Sequence, residues 1–149
     1  MIEAQNKRVV VIVPPQARVD GAAFTTAIID TLGARYVAIY VALGDIDAAL
    51  AALKVQESDA ANMAGATDVP GADFAVAPAA LPGAGDDNKV FAFFIDMRGR
   101  KRYLDLAMNA GDGAAGTFAF AWAELSRLAE MPRTAAQRGL SAELIVPTI

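Results

Sequence analysis

The stretch VFAFFIDMRGRKRYLDLA, from Val90 to Ala107, decides the fold class. Val90 to Asp96 and Arg102 to Ala107 are rich in residue types that favour strands, and the segment between them, Met97 to Lys101, contains Gly99. Two β-rich segments joined through a glycine are typical of a β-hairpin. The sequence therefore predicts a pair of antiparallel strands here.

A second strand pattern runs from Thr117 to Leu125, after the glycine-rich turn Asn109 to Gly116. Phe118, Phe120 and Trp122 alternate with alanines, and a period of two places all three aromatic rings on one face of a strand. We expect a central strand whose aromatic face lies in the core and whose alanine face packs closely on the other side.

Shorter β-branched runs complete the predicted sheets. Arg8 to Val13 is closed by two prolines, Phe24 to Ile29 and Tyr36 to Leu43 flank the turn-like Asp30 to Gly33, and a last strand is expected at Leu144 to Val146 before Pro147. The two runs around residues 30 to 33 predict a second hairpin.

Three segments are less regular. Apolar spacing over Ile46 to Leu53 fits two turns of helix or a turn that feeds a strand at Leu53 to Glu57. Residues 58–89 have no sustained periodicity and predict a long loop, either a mobile surface loop or a contact loop ordered by a partner. Residues 1–25 are a possible N-terminal arm.

These patterns together predict one all-β domain over residues 1–149, a β-sandwich or jelly-roll-like fold with at most one short helix. We expect its core to draw on Val37, Ile39, Val41, Phe91, Phe93, Ile95, Leu104, Leu106, Phe118, Phe120 and Trp122.

Composition excludes several functional classes. The 149 residues contain no histidine and no cysteine, which removes the usual general base, thiol nucleophiles, disulfides and zinc sites built on those ligands. A net charge of −4 argues against nucleic-acid binding. The polar N-terminus and the short apolar run after it predict neither a signal peptide nor a membrane span.

The remaining chemical candidates are carboxylate pairs and one glycine-rich string. The pairs are Asp45 with Asp47, Glu57 with Asp59, Asp86 with Asp87, and Asp96 with Asp105. Each adjoins a predicted turn, where aspartate is favoured for its backbone hydrogen bonds, so we expect no catalytic, cofactor or metal site among them. Residues 111–116 match G-x-G-x-x-G, but a strand and not a helix is expected to follow, which indicates a turn.

One basic cluster stands out in this acidic chain. Arg98, Arg100, Lys101 and Arg102 lie within five positions at the tip of the predicted hairpin. They predict either a contact with an acidic partner or a tip balanced by its own carboxylates, Asp96 and Asp105.

Three strings of this sequence also look familiar: AALKVQESDAANMAGATDVPGADF (residues 51–74), DDNKVFAFFIDMRGRKRYLDLAMNAGDGAAGTF (residues 86–118) and SRLAEMPRTAAQRGL (residues 126–140). They resemble a family of small proteins encoded in tailed-phage head-gene clusters, which look like capsid decoration, or cement, proteins. The resemblance covers residues 28 to 149, and its most specific parts are residues 53–59 and 98–104.

This resemblance implies a structural virion protein on the capsid exterior after synthesis in the host cytoplasm. Its partners would be the major capsid protein, between whose capsomers it binds, and copies of itself, with a trimer favoured over a dimer at twofold positions; direct nucleic-acid or membrane contact is not implied. Two alternatives stay open: a β-sandwich carbohydrate-binding or other phage-surface adhesion module, which needs exposed aromatic residues, and an enzyme built on a carboxylate pair.

Overall fold

Two four-stranded antiparallel sheets form the molecule, and the computed structural model describes residues 3–146. The first sheet contains, in order, β1 (Lys7–Val13), β8 (Thr117–Ser126), β3 (Tyr36–Ile46) and β6 (Val90–Asp96). The second sheet contains β2 (Ile29–Asp30), β7 (Tyr103–Asn109), β4 (Ala52–Ser58) and β5 (Thr67–Asp73). Within residues 3–146 the helical elements are 3₁₀ turns at Glu3–Asn6 and Ala136–Arg138. The predicted all-β sandwich is confirmed.

The connections differ from the sequence prediction. In residues 3–146, β4 and β5 are the only consecutive strands that pair with each other; every other connection crosses from one sheet to the other. The predicted hairpin over residues 90–107 is therefore wrong, because β6 pairs with β3 whereas β7 pairs with β2 and β4. Gly99 has a φ of +73°, which allows a tight turn. A tight turn can join strands of two different sheets as readily as the two strands of a hairpin.

The second predicted hairpin is wrong for the same reason. Of the run Phe24 to Ile29, Ile29 alone belongs to a strand, and that short strand joins the second sheet. Tyr36 to Leu43 lies in β3 of the first sheet. Nearby, Phe24 is buried and its N–H donates to the Met108 carbonyl at 2.9 Å, so this run lies along β7.

The predicted long loop contains a strand. β5 lies in the middle of residues 58–89, and its Val69 and Ala72 side chains are buried. Phe74 follows them and its ring meets that of Phe93 at 5.0 Å. The prediction of a loop throughout residues 58–89 is therefore wrong, while the role of this segment as a contact region stays a prediction.

Other segments are also more regular than expected, with one exception. The interval 46–53 holds no helix, since β3 ends at Ile46 and β4 starts at Ala52; the strand predicted at Leu53 to Glu57 is confirmed. Residues 7–13 of the possible N-terminal arm form β1 inside the sheet. The predicted strand at 144–146 is absent, and Pro147 lies outside the described residues.

The core lies between the sheets and follows the alternation of each strand. Seven of the predicted core residues are confirmed as buried: Val37, Ile39, Val41, Phe93, Ile95, Leu104 and Leu106. Phe91 is half-buried and packs against this cluster, with its ring 5.6 Å from that of Phe74. Ile12, Leu53, Val55, Met108 and Leu125 join the same cluster.

The face of β8 is the reverse of the expected one. Ala119, Ala121 and Ala123 are buried in the core, whereas Phe118 is 39% exposed and Phe120 and Trp122 are half-buried on the outside of the sheet. The prediction that the three aromatic residues are core is wrong. Leu125 shares the alanine face and Glu124 shares the aromatic face, so burying the aromatics would also have buried a carboxylate and exposed a leucine.

This orientation predicts a larger loss of stability for a substitution on the alanine face of β8 than for one on the face that carries the aromatic residues. Ala121 is fully buried between the strands β1 and β3, so Ala121→Leu should overpack the core and lower the free energy of unfolding by about 1 to 3 kcal/mol. Phe118→Ala should change it by less than about 1 kcal/mol, because part of the ring is already in water. Urea unfolding of both variants measures this; a larger loss for Phe118→Ala would contradict the assigned orientation.

Candidate functional site

The outer face of the first sheet carries a row of exposed and half-exposed apolar side chains, which we name the aromatic face. Its members project from all four strands of that sheet: Val11, Tyr40, Phe94, Phe118, Phe120 and Trp122. Phe94 is 77% exposed and Val11 46%. On a small protein, a contiguous patch of exposed apolar side chains commonly marks an interaction surface.

Strand register brings these side chains together. Trp122 of β8 lies directly opposite Val11 of β1 on one side and Tyr40 of β3 on the other, and Tyr40 lies opposite Ala92 of β6. Directly opposite residues share a face. Trp122 therefore occupies the middle of a row that crosses the whole sheet.

The rings pack on each other as well as on the sheet. Trp122 stacks with Tyr40 and with Phe120, each with a centroid distance of 5.1 Å and an interplanar angle of 21°. Phe94 meets Tyr40 edge to face at 6.0 Å. These contacts fix ring positions before any partner binds, which reduces the side-chain entropy lost on binding.

Charged pairs border the aromatic face. Arg18 places its guanidinium 4.5 Å from the centre of the Phe118 ring and pairs with Asp45 at 2.6 Å. Towards the other end of the strands, Lys7 and Glu124 lie 3.7 Å apart. An apolar, aromatic centre inside a charged rim is the usual composition of a protein–protein interface.

The predicted basic cluster lies on the connection from β6 to β7, at one end of the sandwich. Arg98 donates to the Asp96 carboxylate through Nε at 2.8 Å and Nη2 at 2.5 Å. Arg102 donates two bonds of 2.8 Å to Asp30. The Arg102–Asp30 pair is bidentate, the geometry that guanidinium favours, whereas both bonds from Arg98 go to the same carboxylate oxygen, Asp96 Oδ2.

The other two basic residues, Arg100 and Lys101, contact Glu57, which is buried despite its charge. Arg100 Nη1 lies 3.4 Å from its Oε1, and the backbone N–H of Lys101 donates to Oε2 at 3.1 Å. The Lys101 side chain reaches Thr67 at 3.3 Å. Three of the four cations thus pair with acids of the same chain, whereas the Lys101 ammonium bonds to a hydroxyl. Asp105, one of the two acids expected, instead accepts from Thr26 at 2.6 Å. A partner contact at Arg98 to Arg102 stays a prediction.

The glycine-rich string at 111–116 is a turn whose amides are already bonded. Asp20 accepts from the N–H of Gly113 at 2.8 Å, and Asp47 accepts from those of Ala115 at 2.5 Å and Gly116 at 3.2 Å. These amide bonds, above all the one from Ala115, lower the pKa of Asp47. The chain's own carboxylates therefore occupy donors that a phosphate would need, and β8 follows in place of a helix.

Two further carboxylates of the candidate pairs, Asp86 and Asp87, accept hydrogen bonds from backbone amides. Asp86 accepts from the N–H of Gly83 at 2.8 Å, and Asp87 from that of Ile46 at 2.9 Å. Asp96 and Asp105 lie in different sheets. Among residues 3–146 no group of three or more acidic side chains is arranged to hold a metal ion, and no helix is long and apolar enough to cross a membrane.

Comparison with protein-family models, with curated proteins and with solved structures finds no match for this chain.

The Asp30–Arg102 pair gives a direct test of the charge balance at this end. The hydrogen bonds from Arg102 lower the pKa of Asp30 from 3.8 to about 2, against the opposing effect of partial burial. The pair therefore contributes its small share of stability above pH 3.8, and that share is lost as the pH falls towards 2. Arg102→Gln should raise the pKa of Asp30 towards 3.8 in an NMR titration of the carboxyl groups.

Asp47 is the matched control for this titration, because backbone amides and not Arg102 lower its pKa. Its midpoint should be the same in both proteins. An Asp30 midpoint that Arg102→Gln leaves unchanged would show that the Arg102 bonds do not form in solution.

Proposed function

We propose that this chain is a non-enzymatic structural virion protein that decorates and stabilises a phage capsid, with the aromatic face docked on the major capsid protein between capsomers. The observation that carries the proposal is that face: Trp122, Tyr40 and Phe120 stacked at its centre and Phe94 almost fully exposed beside them. The sequence resemblance to proteins of tailed-phage head-gene clusters supplies the choice of partner.

Interface energetics support this use of the face. Tryptophan and tyrosine at the centre of an apolar patch are the residue types that dominate binding energy, and charged rim pairs add little affinity but fix orientation. Phe94 is 77% exposed, so burial in the core does not account for a phenylalanine at this position. A particle also repeats each contact by symmetry, so a modest affinity per copy is sufficient.

The basic cluster at Arg98 to Arg102 is proposed only as a secondary contact with the capsid. Arg98 keeps 70% of its side chain exposed while it pairs with Asp96, whereas Arg100 is 27% exposed and tied to Glu57. Arg98, Arg100 and Arg102 therefore need no external acidic partner to balance their charge, since Asp96, Glu57 and Asp30 already face them.

A carbohydrate-binding module is the second candidate, because exposed aromatic residues on a sheet are the feature it needs. Sugar rings stack on the open faces of aromatic side chains. Trp122 already stacks with two neighbouring rings, which leaves less of its π-surface for a sugar, whereas Phe94 meets Tyr40 by an edge contact. These ring contacts favour a protein partner over a glycan.

Particle binding by variants of the face tests the proposal. Val11→Asp places a carboxylate beside Trp122, and Phe118→Ser removes a ring at the other end of β8. Each should weaken binding to capsids that lack the protein by at least about tenfold, since a buried unpaired charge or a lost anchor costs at least about 1.4 kcal/mol at an interface. Co-sedimentation with purified particles over a concentration series measures this.

Leu32→Asp is the matched control, because Leu32 is 64% exposed on the connection between β2 and β3, outside both the aromatic face and the predicted contact region at residues 58–89. It should bind particles as the unmodified chain does. Equal binding by all four proteins, or no binding of the unmodified chain to particles, would contradict the proposal. Binding to glycans that Val11→Asp abolishes would support the carbohydrate alternative.

A further inference from the structure

A strand edge distinct from the aromatic face is left open by the fold. β6 is at the end of the first sheet and pairs only with β3. The N–H of Met97 donates to the Arg35 carbonyl and the N–H of Leu43 to the Lys89 carbonyl, so odd-numbered residues of this strand direct their backbone groups towards β3. The backbone groups of Val90, Ala92, Phe94 and Asp96 consequently point outwards, and within residues 3–146 they have no hydrogen-bond partner.

The other three sheet edges are protected. On β1, the Ile12 carbonyl accepts from the N–H of Ala27 at 3.0 Å, and Gly139 packs so closely on the Val9 carbonyl that no Cβ would fit there. β2 has only two residues. β5 contains Pro70, which has no N–H, and Gly71 with φ +81°, next to an irregular register with β4. Short strands, coverage, prolines and bulges are the usual means of blocking edge pairing.

None of these means protects β6. Val90 to Ile95 contains neither a charge, a proline nor a glycine, and its register with β3 is continuous. Beside it, a groove of about 350 Å³ opens between β6 and β5, lined by Phe74, Phe93 and Ile95 among others. An apolar, regular and uncovered edge of this length is a template for another strand.

We propose that β6 pairs with β6 of a second copy of this chain, antiparallel and across a twofold axis, so that two first sheets join into one continuous eight-stranded sheet. This inference does not depend on the proposed function.

The strand is complementary to itself in this arrangement. With the axis at Phe93, Ala92 lies opposite Phe94 of the other copy and Val90 lies opposite its Asp96, so all four outward-facing residues are paired. On the outer face of the joined sheet, the large side chain of Phe94 then lies opposite the small side chain of Ala92 of the other copy. Both charges that flank the strand are already paired within their own chain, Lys89 with Asp86 at 2.9 Å and Asp96 with Arg98 at 2.5 Å, so antiparallel pairing leaves no isolated charge at either end of the joined strands. The result is a dimer at a twofold axis, in place of the trimer that the resemblance favours.

Hydrogen exchange of the unmodified protein tests the pairing residue by residue. The amides of Val90, Ala92 and Phe94 should exchange slowly at high protein concentration and faster on dilution. Those of Phe91, Phe93 and Ile95, which bond to β3, should be protected at all concentrations and are the internal control. Fast exchange at Val90, Ala92 and Phe94 at every concentration would overturn the proposal.

Proline substitution tests the proposed pairing of β6 through the mass of the protein in solution. Ala92→Pro removes an N–H that points outwards, so no hydrogen bond within the chain is lost. We expect the unmodified chain to sediment as a dimer, and Ala92→Pro to weaken the dimer by about tenfold or more, since two bonds are lost across the axis. Val90→Pro, at the first residue of the strand, gives the same test should Ala92→Pro fail to fold by circular dichroism.

Val11→Asp should dimerise like the unmodified chain, because β1 is at the opposite edge of the sheet. A dimer that survives in a folded proline variant, or an unmodified chain that is monomeric throughout, would overturn the proposal. Since Val11→Asp alters particle binding and Ala92→Pro alters self-association, failure of one proposal is distinguishable from failure of the other.

Discussion

The orientation of β8 in the middle of the first sheet is the constraint on which the rest of the structure depends. Its flanking strands β1 and β3 fix its position, and its period of two permits only two orientations. With alanines inward, the core receives Leu125 and small side chains that let the larger residues of the second sheet fill the space. With the same choice, Phe118, Phe120 and Trp122 must lie outside, so the packing of the core and the presence of the aromatic face have one cause.

Local sequence patterns predicted strand positions well and strand partners poorly. β1, β3, β4, β6, β7 and β8 coincide closely with predicted runs, because alternation and β-branched content are local properties. The partners are set by contacts distant in sequence: the turn at 97–102 connects two sheets, and nothing in its composition distinguishes that crossing from a hairpin. β5 was missed because Pro70 and Gly71 interrupt its pattern.

The candidate site could have been found from the sequence by one further step. Glu124 and Ser126 follow Trp122 at intervals of two and share its face, while Leu125 shares the face of the alanines. Because glutamate favours solvent and leucine favours the core, this alternation identifies the aromatic face as the outer face of the sheet. By contrast, the partners of the basic residues were beyond reach, since Glu57 and Asp30 lie 43 and 72 positions from Arg100 and Arg102. Charge counted along the sequence therefore leaves open whether these cations are balanced within the chain or by a partner.

The most direct test of the central claim, that the aromatic face is the surface used in docking, is the labelling rate of one introduced thiol. The chain contains no cysteine, so Val11→Cys and Leu32→Cys each give a unique site, one on the aromatic face and one outside both that face and residues 58–89. Maleimide labelling followed by mass spectrometry, on free protein and on decorated particles, compares the two. If the aromatic face is the docking surface, particle binding slows labelling at Val11→Cys and leaves the rate at Leu32→Cys unchanged. An unchanged rate at Val11→Cys in protein that is demonstrably particle-bound would contradict this claim.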